Sequence, residues 1–354
     1  MASFNQQTMI PDTAYHLFVE HYDQLTALVR RRLTVVWQYQ PQSPWASPEE
    51  ELQDYVNEFG RLLRVVFRYH LSAALRQEAA WYASMLTSRG PGQEAVALLV
   101  DSWLVAIQGI LKPPECNLLA QPLQELRTDL ASIVAQERDR LAARPSLEVA
   151  RLVDLLIVGE RRGAQEQIQA DLSQGQAPHD IILTELLPAM AEIGRRWERN
   201  ELAIYQEHLA TETVLRLLAS LPAWSRPAAP VGRSALVTCV PGEEHQLLPL
   251  ALGTYLELRG WRVWSLGRSL PRAQIAAAVT AFKPDVVFLS LTMLSRLEEA
   301  LAAVEQLQSC QPAPALFMGG RGTIPAQEIL AAAGVQLVQD FAQAHSRALE
   351  GAHA

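Results

Sequence analysis

The sequence predicts a multidomain fold: an all-α N-terminal bundle, a second helical group of four-helix type, and an α/β domain built on a five-stranded parallel sheet. Three observations carry this reading. Up to about residue 221 the apolar side chains recur at three- and four-residue steps, the period of one helix face. From Pro222 to Gly232 the chain is rich in proline (Pro222, Pro227, Pro230) and poor in large apolar side chains, as a linker is. After residue 233 short apolar runs alternate with helical stretches, the pattern of buried parallel strands joined by helices. The expected boundaries are residues 1–143 for the bundle, 144–222 for the second helical group, 223–233 for the linker and 234–354 for the α/β domain.

In the first region, helices are expected at Tyr15 to Trp37, Gln93 to Leu111 and Leu118 to Leu141, with breaks at Pro41 to Pro48 and Pro113-Pro114. Between them Val56, Phe59, Leu63, Val66 and His70 form one stripe. It predicts a single long helix from Leu52 through Leu75, Tyr82 and Met85 to a stop at Arg89-Gly90-Pro91. In the second region Ser146 is placed to cap a helix and Gly159 and Gly163 loosen the middle. Pro178 then opens a helix through Ile182, Leu186, Met190 and Ile193 toward Trp197, and a last helix holds Glu207 to Leu221. The third region gives strands at Ala235 to Val240, Val263 to Leu266, Val286 to Leu291, Leu316 to Met318 and Val335 to Val338. Ligands of such sheets bind at the carboxyl ends of the strands, so the loops Pro241 to His245, Ser290 to Leu294 and Gly319 to Gly322 are the ones to read.

Composition narrows the function. At 354 residues, 49% apolar and 19% charged, the chain has the make-up of a globular protein. It has neither an apolar stretch of roughly 20 residues nor a basic segment ahead of an apolar signal core, so no membrane association and a cytoplasmic location are expected. Cys116, Cys239 and Cys310 are far apart and odd in number, which suggests free thiols. A net charge of −8 argues against direct nucleic-acid binding, and the one basic cluster, Arg30-Arg31-Arg32, reads as a solvated helix end.

Two segments carry chemistry. The run from Trp197 through Ile204 to Glu207-His208 sets a bulky aromatic and an acid-histidine pair on helices, and Glu243-Glu244-His245 lies in the loop after the first strand. An imidazole on such a loop can coordinate a metal through one nitrogen while a carboxylate orients it through the other. The two segments have the layout of a sandwich around a large flat cofactor. Ser290 and Thr292 add hydroxyls at the end of the third strand, and Gly319-Gly320 ends the fourth without side chains.

Together Glu243, His245, Ser290, Thr292, Gly319 and Gly320 resemble the fingerprint of cobalamin-binding Rossmann-like domains, over residues 234 to about 345. The resemblance implies a flavodoxin-like strand order. It also implies that His245 replaces the cofactor's own base as lower cobalt ligand, while the displaced nucleotide tail threads past the serine and the glycines. One departure is Leu248, where the family usually has glycine. The helical half agrees: Pro188-Ala-Met190-Ala-Glu-Ile193-Gly194-Arg-Arg-Trp197 resembles the helical cap over cobalamin's upper face. Trp197 followed by Glu207-His208 has the form seen in light-sensing B12 proteins, where the tryptophan covers the adenosyl group.

Three uses of the cofactor compete. A corrinoid methyl carrier for a methyltransferase usually lacks the Trp-x9-Glu-His spacing, and a radical mutase needs a substrate barrel of roughly 250 residues. The resemblance therefore implies a non-enzymatic light sensor that binds adenosylcobalamin and responds by a light-dependent change in homo-oligomeric assembly, with the methyl carrier as alternative. In light-dependent repressors of this family a histidine directly follows the cap tryptophan; here that position is Glu198, and the opening residues do not read as a helix-turn-helix. By architecture the N-terminal bundle resembles the globin-like domain of photocobilins, which implies biliverdin as second chromophore. His70, Trp81, Tyr82 and Trp103 are the residues for its pocket and Arg61, Arg64 and Arg68 for its propionates, while Cys116, in a surface loop after Pro113-Pro114, is read as a free thiol with a bilin tether as the alternative. Haem held through His70, making a haem/B12 sensor, is the neighbouring alternative. The downstream signalling partner is unknown.

Overall fold

The computed structural model describes residues 9–39, 49–88, 92–141 and 146–350. The expected breaks at Pro41 to Pro48 and at Arg89-Gly90-Pro91 lie outside them. The chain divides into two units, Met1–Ala143 with Trp197–Glu201, and Arg144–Arg196 with Leu202–Ala354. Among the described residues no helix is long and apolar enough to cross a membrane.

The first unit is helical: α1 (Asp12–Glu20), α2 (Tyr22–Tyr39), α3 (Glu49–Tyr69), α4 (Ser72–Ser88), α5 (Gly92–Ile110) and α6 (Glu115–Leu141). Its core is aromatic at the centre. Phe18 meets Phe67 edge-on at 4.9 Å and Trp103 at 6.1 Å, and all three rings are fully buried. Gly60 on α3 makes room for them, since a Cβ there would stand 2.5 Å from the Tyr22 hydroxyl and 2.9 Å from Trp103 Cζ2.

Three expectations for this unit need correction. The single helix through His70 is two helices. His70 adopts φ 57, Leu71 N–H reaches back to the Val66 carbonyl at 3.0 Å, and Ile10 N–H donates to His70 Nδ1 at 3.3 Å. Histidine is among the side chains that tolerate the left-handed region, so the chain turns with neither glycine nor proline to announce it, while the apolar stripe runs on across the break. The helix expected from Tyr15 is likewise split at His21, which caps α1 through its N–H to the Leu17 carbonyl. Cys116 lies in the first turn of α6 and is buried, with Sγ 3.6 Å from Asn117 Oδ1, rather than in a surface loop.

The second unit begins with α7 (Leu147–Ile157), which Ser146 caps by accepting from Val149 N–H at 3.4 Å. Next come α8 (Arg161–Ser173) and α9 (Pro178–Ile181), which passes through a π-helical turn at Ile182–Leu186 into α10 (Leu187–Glu198). The last helix of this group is α11 (Ile204–Ser220). The α/β part follows as β1 (Ser234–Cys239), α12 (Leu247–Glu257), β2 (Arg262–Gly267), α13 (Arg272–Phe282), β3 (Val286–Ser290), α14 (Leu297–Gln308), β4 (Ala315–Gly319), α15 (Gln327–Ala332), β5 (Gln336–Leu337) and α16 (Phe341–Glu350). The sheet is parallel with order β2-β1-β3-β4-β5, the flavodoxin-like order, so the direction in which strands are added across the sheet reverses at the β1/β3 pair. Strand register places Cys239 beside Ser290 and Ser290 beside Gly319, bringing the ends of β1, β3 and β4 into one row.

Candidate functional site

The loop after β1 is built around a buried carboxylate. Glu243, 1% exposed, takes His245 N–H at 3.1 Å and the ring Nδ1 on Oε1. On Oε2 it takes Thr292 N–H at 3.0 Å and Met293 N–H at 2.8 Å. One side chain thus ties the β1 loop to the β3 loop. Burial alone raises this carboxyl's pKa, but the hydrogen bond and charge of His245 and the backbone donors outweigh it and hold Glu243 down at about 2. An ionised carboxylate only accepts, so Nδ1 is the donor of this pair and Nε2 lies on the free side of a ring whose side chain is 53% exposed. The loop is fixed further by Ser269 N–H donating to the Glu243 carbonyl at 3.1 Å and by the Cys239 thiol, 3.7 Å from the His245 carbonyl. Burial, then Glu243 and Glu244, push that thiol up to about 12, so it stays neutral.

Beside the loops, at the β1/β3 reversal, the sheet opens into a cavity of about 560 Å³. Its walls are chiefly apolar, with Phe288, Leu248 and Val338 among them, and Ser290, Gly319 and Gly320 line it too. The hydroxyls of Ser290 and Thr292 are buried without a hydrogen-bond partner, which a ligand's polar atoms would relieve. The two glycines answer first to the protein's own backbone. Gly320 has φ 107 and a Cβ there would lie 2.5 Å from the Leu291 carbonyl oxygen; one on Gly319 would lie 3.2 Å from that of Val338. Leu248, in place of the expected glycine, forms part of the cavity wall. Sequence reading missed the far wall, Val338 to Phe341; the signal was that β5 ends there.

The helical candidates fall in both units. Ile204, Glu207 and His208 occupy the first turns of α11 in the second unit. His208 Nδ1 is 2.7 Å from Glu207 Oε2, and Thr211 donates to Glu207 Oε1 at 2.8 Å. This repeats in small the carboxylate-histidine arrangement of the β1 loop, but on an exposed surface. Ile204, Tyr205 and Leu209 are 48%, 70% and 40% exposed, an apolar face left open around His208. Trp197, half-buried, groups with the first unit.

Of the residues read for a second chromophore, Trp103 is a core side chain against Phe18 and Tyr22, and Tyr82 is buried against Phe59 and Trp81. Trp81 donates its indole N–H to Glu198 at 3.1 Å, and His70 is a helix-ending residue with Nδ1 engaged. Arg61 pairs with Glu58 at 3.0 Å, while Arg64 lies over the Tyr22 ring and Arg68 over Tyr15 and Tyr69. Among the described residues no group of three or more His, Cys, Asp or Glu converges as a metal site.

Comparison with known proteins agrees with this geometry. Models described as B12 binding domains match residues 148–221 and 233–347. The HTH-type transcriptional repressor CarA of Myxococcus xanthus is 36% identical over 138 residues, covering 39% of this chain and 46% of the relative. The HTH-type transcriptional repressor CarH of the same organism is 30% identical over 216 residues, covering 58% of this chain and 66% of the relative. The chain therefore spans less than two thirds of the length of either. The solved monomethylamine corrinoid protein of Methanosarcina barkeri aligns with a TM-score of 0.46 at 17% identity, over 57% of this chain and 96% of that one. The chain thus carries two B12-binding domains and is a homologue of the repressors CarA and CarH.

Proposed function

We propose that this chain is a light sensor that binds adenosylcobalamin through His245. The observation that carries the proposal is the Glu243–His245 pair beside the β1/β3 cavity. An imidazole with Nδ1 spent on a buried carboxylate presents Nε2 to a metal, and the cavity next to it has room for a displaced nucleotide tail. The unpartnered Ser290 hydroxyl fits a polar atom of that tail. When bound, adenosylcobalamin supplies a cobalt–carbon bond that light breaks.

The protein's part is to hold and to read. Glu243 fixes the tautomer and the aim of His245, and its bonds to Thr292 and Met293 keep the loops from spreading. Ile204, Glu207 and His208 are the residues for the cofactor's upper side, and the open apolar face of α11 supports that role. The Trp197-x9-Glu207-His208 spacing favours the adenosyl form and a sensor over a methyl carrier. The protein's response to illumination would be a change in its homo-oligomeric assembly.

Protein reconstituted with adenosylcobalamin in darkness is expected to show a light-induced change in absorption and in elution volume. Neither change, or preference for methylcobalamin with methyl transfer to an added partner, would replace this reading by the methyl carrier. Biliverdin is proposed as second chromophore on the globin-like resemblance of the N-terminal helices. Protein expressed with both cofactors then has a red or far-red band; a Soret band instead would assign haem, and neither band would leave the bundle a purely structural module.

A further inference from the structure

His179 on α9 and His345 on α16 both meet the ring of Tyr255 on α12 edge-on, at 5.7 Å and 6.5 Å. All three belong to the second unit, and Tyr255 is buried. Each imidazole takes a hydrogen bond from a group that can only donate. Arg259, just past the end of α12, gives a guanidinium N–H to His179 Nε2 at 2.9 Å, with its guanidinium carbon 5.4 Å from the centre of the Tyr255 ring. Trp261, also buried, gives its indole N–H to His345 Nδ1 at 2.9 Å. A protonated imidazole has no lone pair to accept with, so both contacts need the neutral ring.

The charge around the two rings acts in the same direction. The charged and titratable groups there are Arg259, Tyr255, Asp180 on α9 and Asp340 ahead of α16. Burial first, and then the Arg259 cation, lower both histidines from the ordinary 6.5, and His179 lowers His345 further. Asp180 works the other way on His179, but its carboxylate is 3.7 Å from Nε2 and half exposed. The joint bears on the cavity because α16 supplies part of its wall: Phe341, 5.7 Å from the Tyr255 ring, and Ala344, the residue before His345.

We propose that His179 and His345 form a pH-sensitive latch. Neutral, they accept from Arg259 and Trp261 and hold α9 and α16 to the end of α12. Protonated, they turn these donors away and free both helices, and with α16 goes the stretch of cavity wall that Phe341 and Ala344 make. Because the folded protein disfavours these protons relative to the unfolded chain, the stability the two contacts add is whole above about pH 6.5 and falls away as the pH drops below it. The latch involves neither Glu243 nor His245, so it stands whether or not the ligand of the cavity is cobalamin.

The test is hydrogen exchange of the full-length protein at pH 7.5 and pH 5.5, expressed as protection factors so that the intrinsic effect of pH on exchange divides out. The wild type is compared with the double variant His179→Gln/His345→Asn. Glutamine sets its amide oxygen near the place of Nε2 and asparagine near that of Nδ1, so both acceptors are kept and neither takes a proton. In the wild type, protection along α9 and α16 is expected to fall about tenfold at the lower pH, the scale of one hydrogen bond to a charged group, while α14 keeps its protection. The double variant should hold its protection at both values. A fall that persists in the double variant, a fall shared equally by α14, or no fall in the wild type would overturn the proposal. Should the variant not fold, titration of the histidine ring ¹⁵N signals in the wild type decides instead: the proposal requires His345 Nδ1 and His179 Nε2 to be unprotonated acceptors at pH 7.5 and both rings to titrate below the ordinary histidine range. Rings that titrate within or above that range would overturn it.

Discussion

At the scale of single residues the account turns on Glu243. Replacing it by glutamine leaves a side chain of the same shape that serves His245 and the two backbone donors less well. Cobalamin affinity is expected to fall about 10- to 100-fold, read by dark titration of the absorption spectrum. The same residue gives a pH dependence of known sign. Its folded pKa of about 2 lies below its unfolded value, so it contributes stability in full above roughly pH 4.5, and that contribution is lost as pH falls toward 2. Thermal unfolding followed from pH 6 to pH 2 should show a steeper loss for the wild type than for Glu243→Gln, by on the order of 3 kcal/mol across the range. Equal slopes would mean that the buried carboxylate is not ionised in the folded protein. At the cavity, Ser290→Leu puts an apolar branch where the hydroxyl waits unpartnered, and is expected to weaken cobalamin binding more than tenfold while the protein stays folded by circular dichroism.

At the scale of elements, the sheet was legible because β1, β3 and β4 are buried and end in distinctive loops. Each expected run from Ala235 to Val338 corresponds to a strand to within about a residue or two, and the Ser/Thr and Gly-Gly signals fall on strand ends that the register aligns. The helical bundle was legible in its period but not in its breaks. The stripe through Val56, Phe59, Leu63 and Val66 continues in phase past His70, and nothing in a hydrophobic pattern shows that a histidine adopts a left-handed conformation. Close packing was equally hidden: Gly60 reads as a helix-weakening residue, whereas its missing Cβ is what admits Tyr22 and Trp103. Gly60→Ala is therefore expected to destabilise the first unit by about 1–3 kcal/mol despite alanine's better helix propensity, measured by chemical denaturation. Increased stability would show that the aromatic cluster moves aside freely.

At the scale of the whole molecule, a histidine oriented by a buried carboxylate, a neighbouring cavity and two B12-binding domains mark a cofactor-holding protein. The part of this legible in sequence was Glu243-x-His245 in the loop after β1, with Ser290 and Gly319 on the neighbouring strand ends. The Trp81–Glu198 bond was not, since it joins residues 117 apart with no shared motif. The central claim is that His245, and not the cofactor's own base, lies beneath cobalt. It is tested most directly by electron paramagnetic resonance of protein labelled with ¹⁵N-histidine, loaded with cobalamin and reduced to the Co(II) state. A spin-½ nitrogen from His245 predicts superhyperfine lines split into doublets, absent from His245→Ala. Triplets from the cofactor's unlabelled base in the wild type would contradict the account.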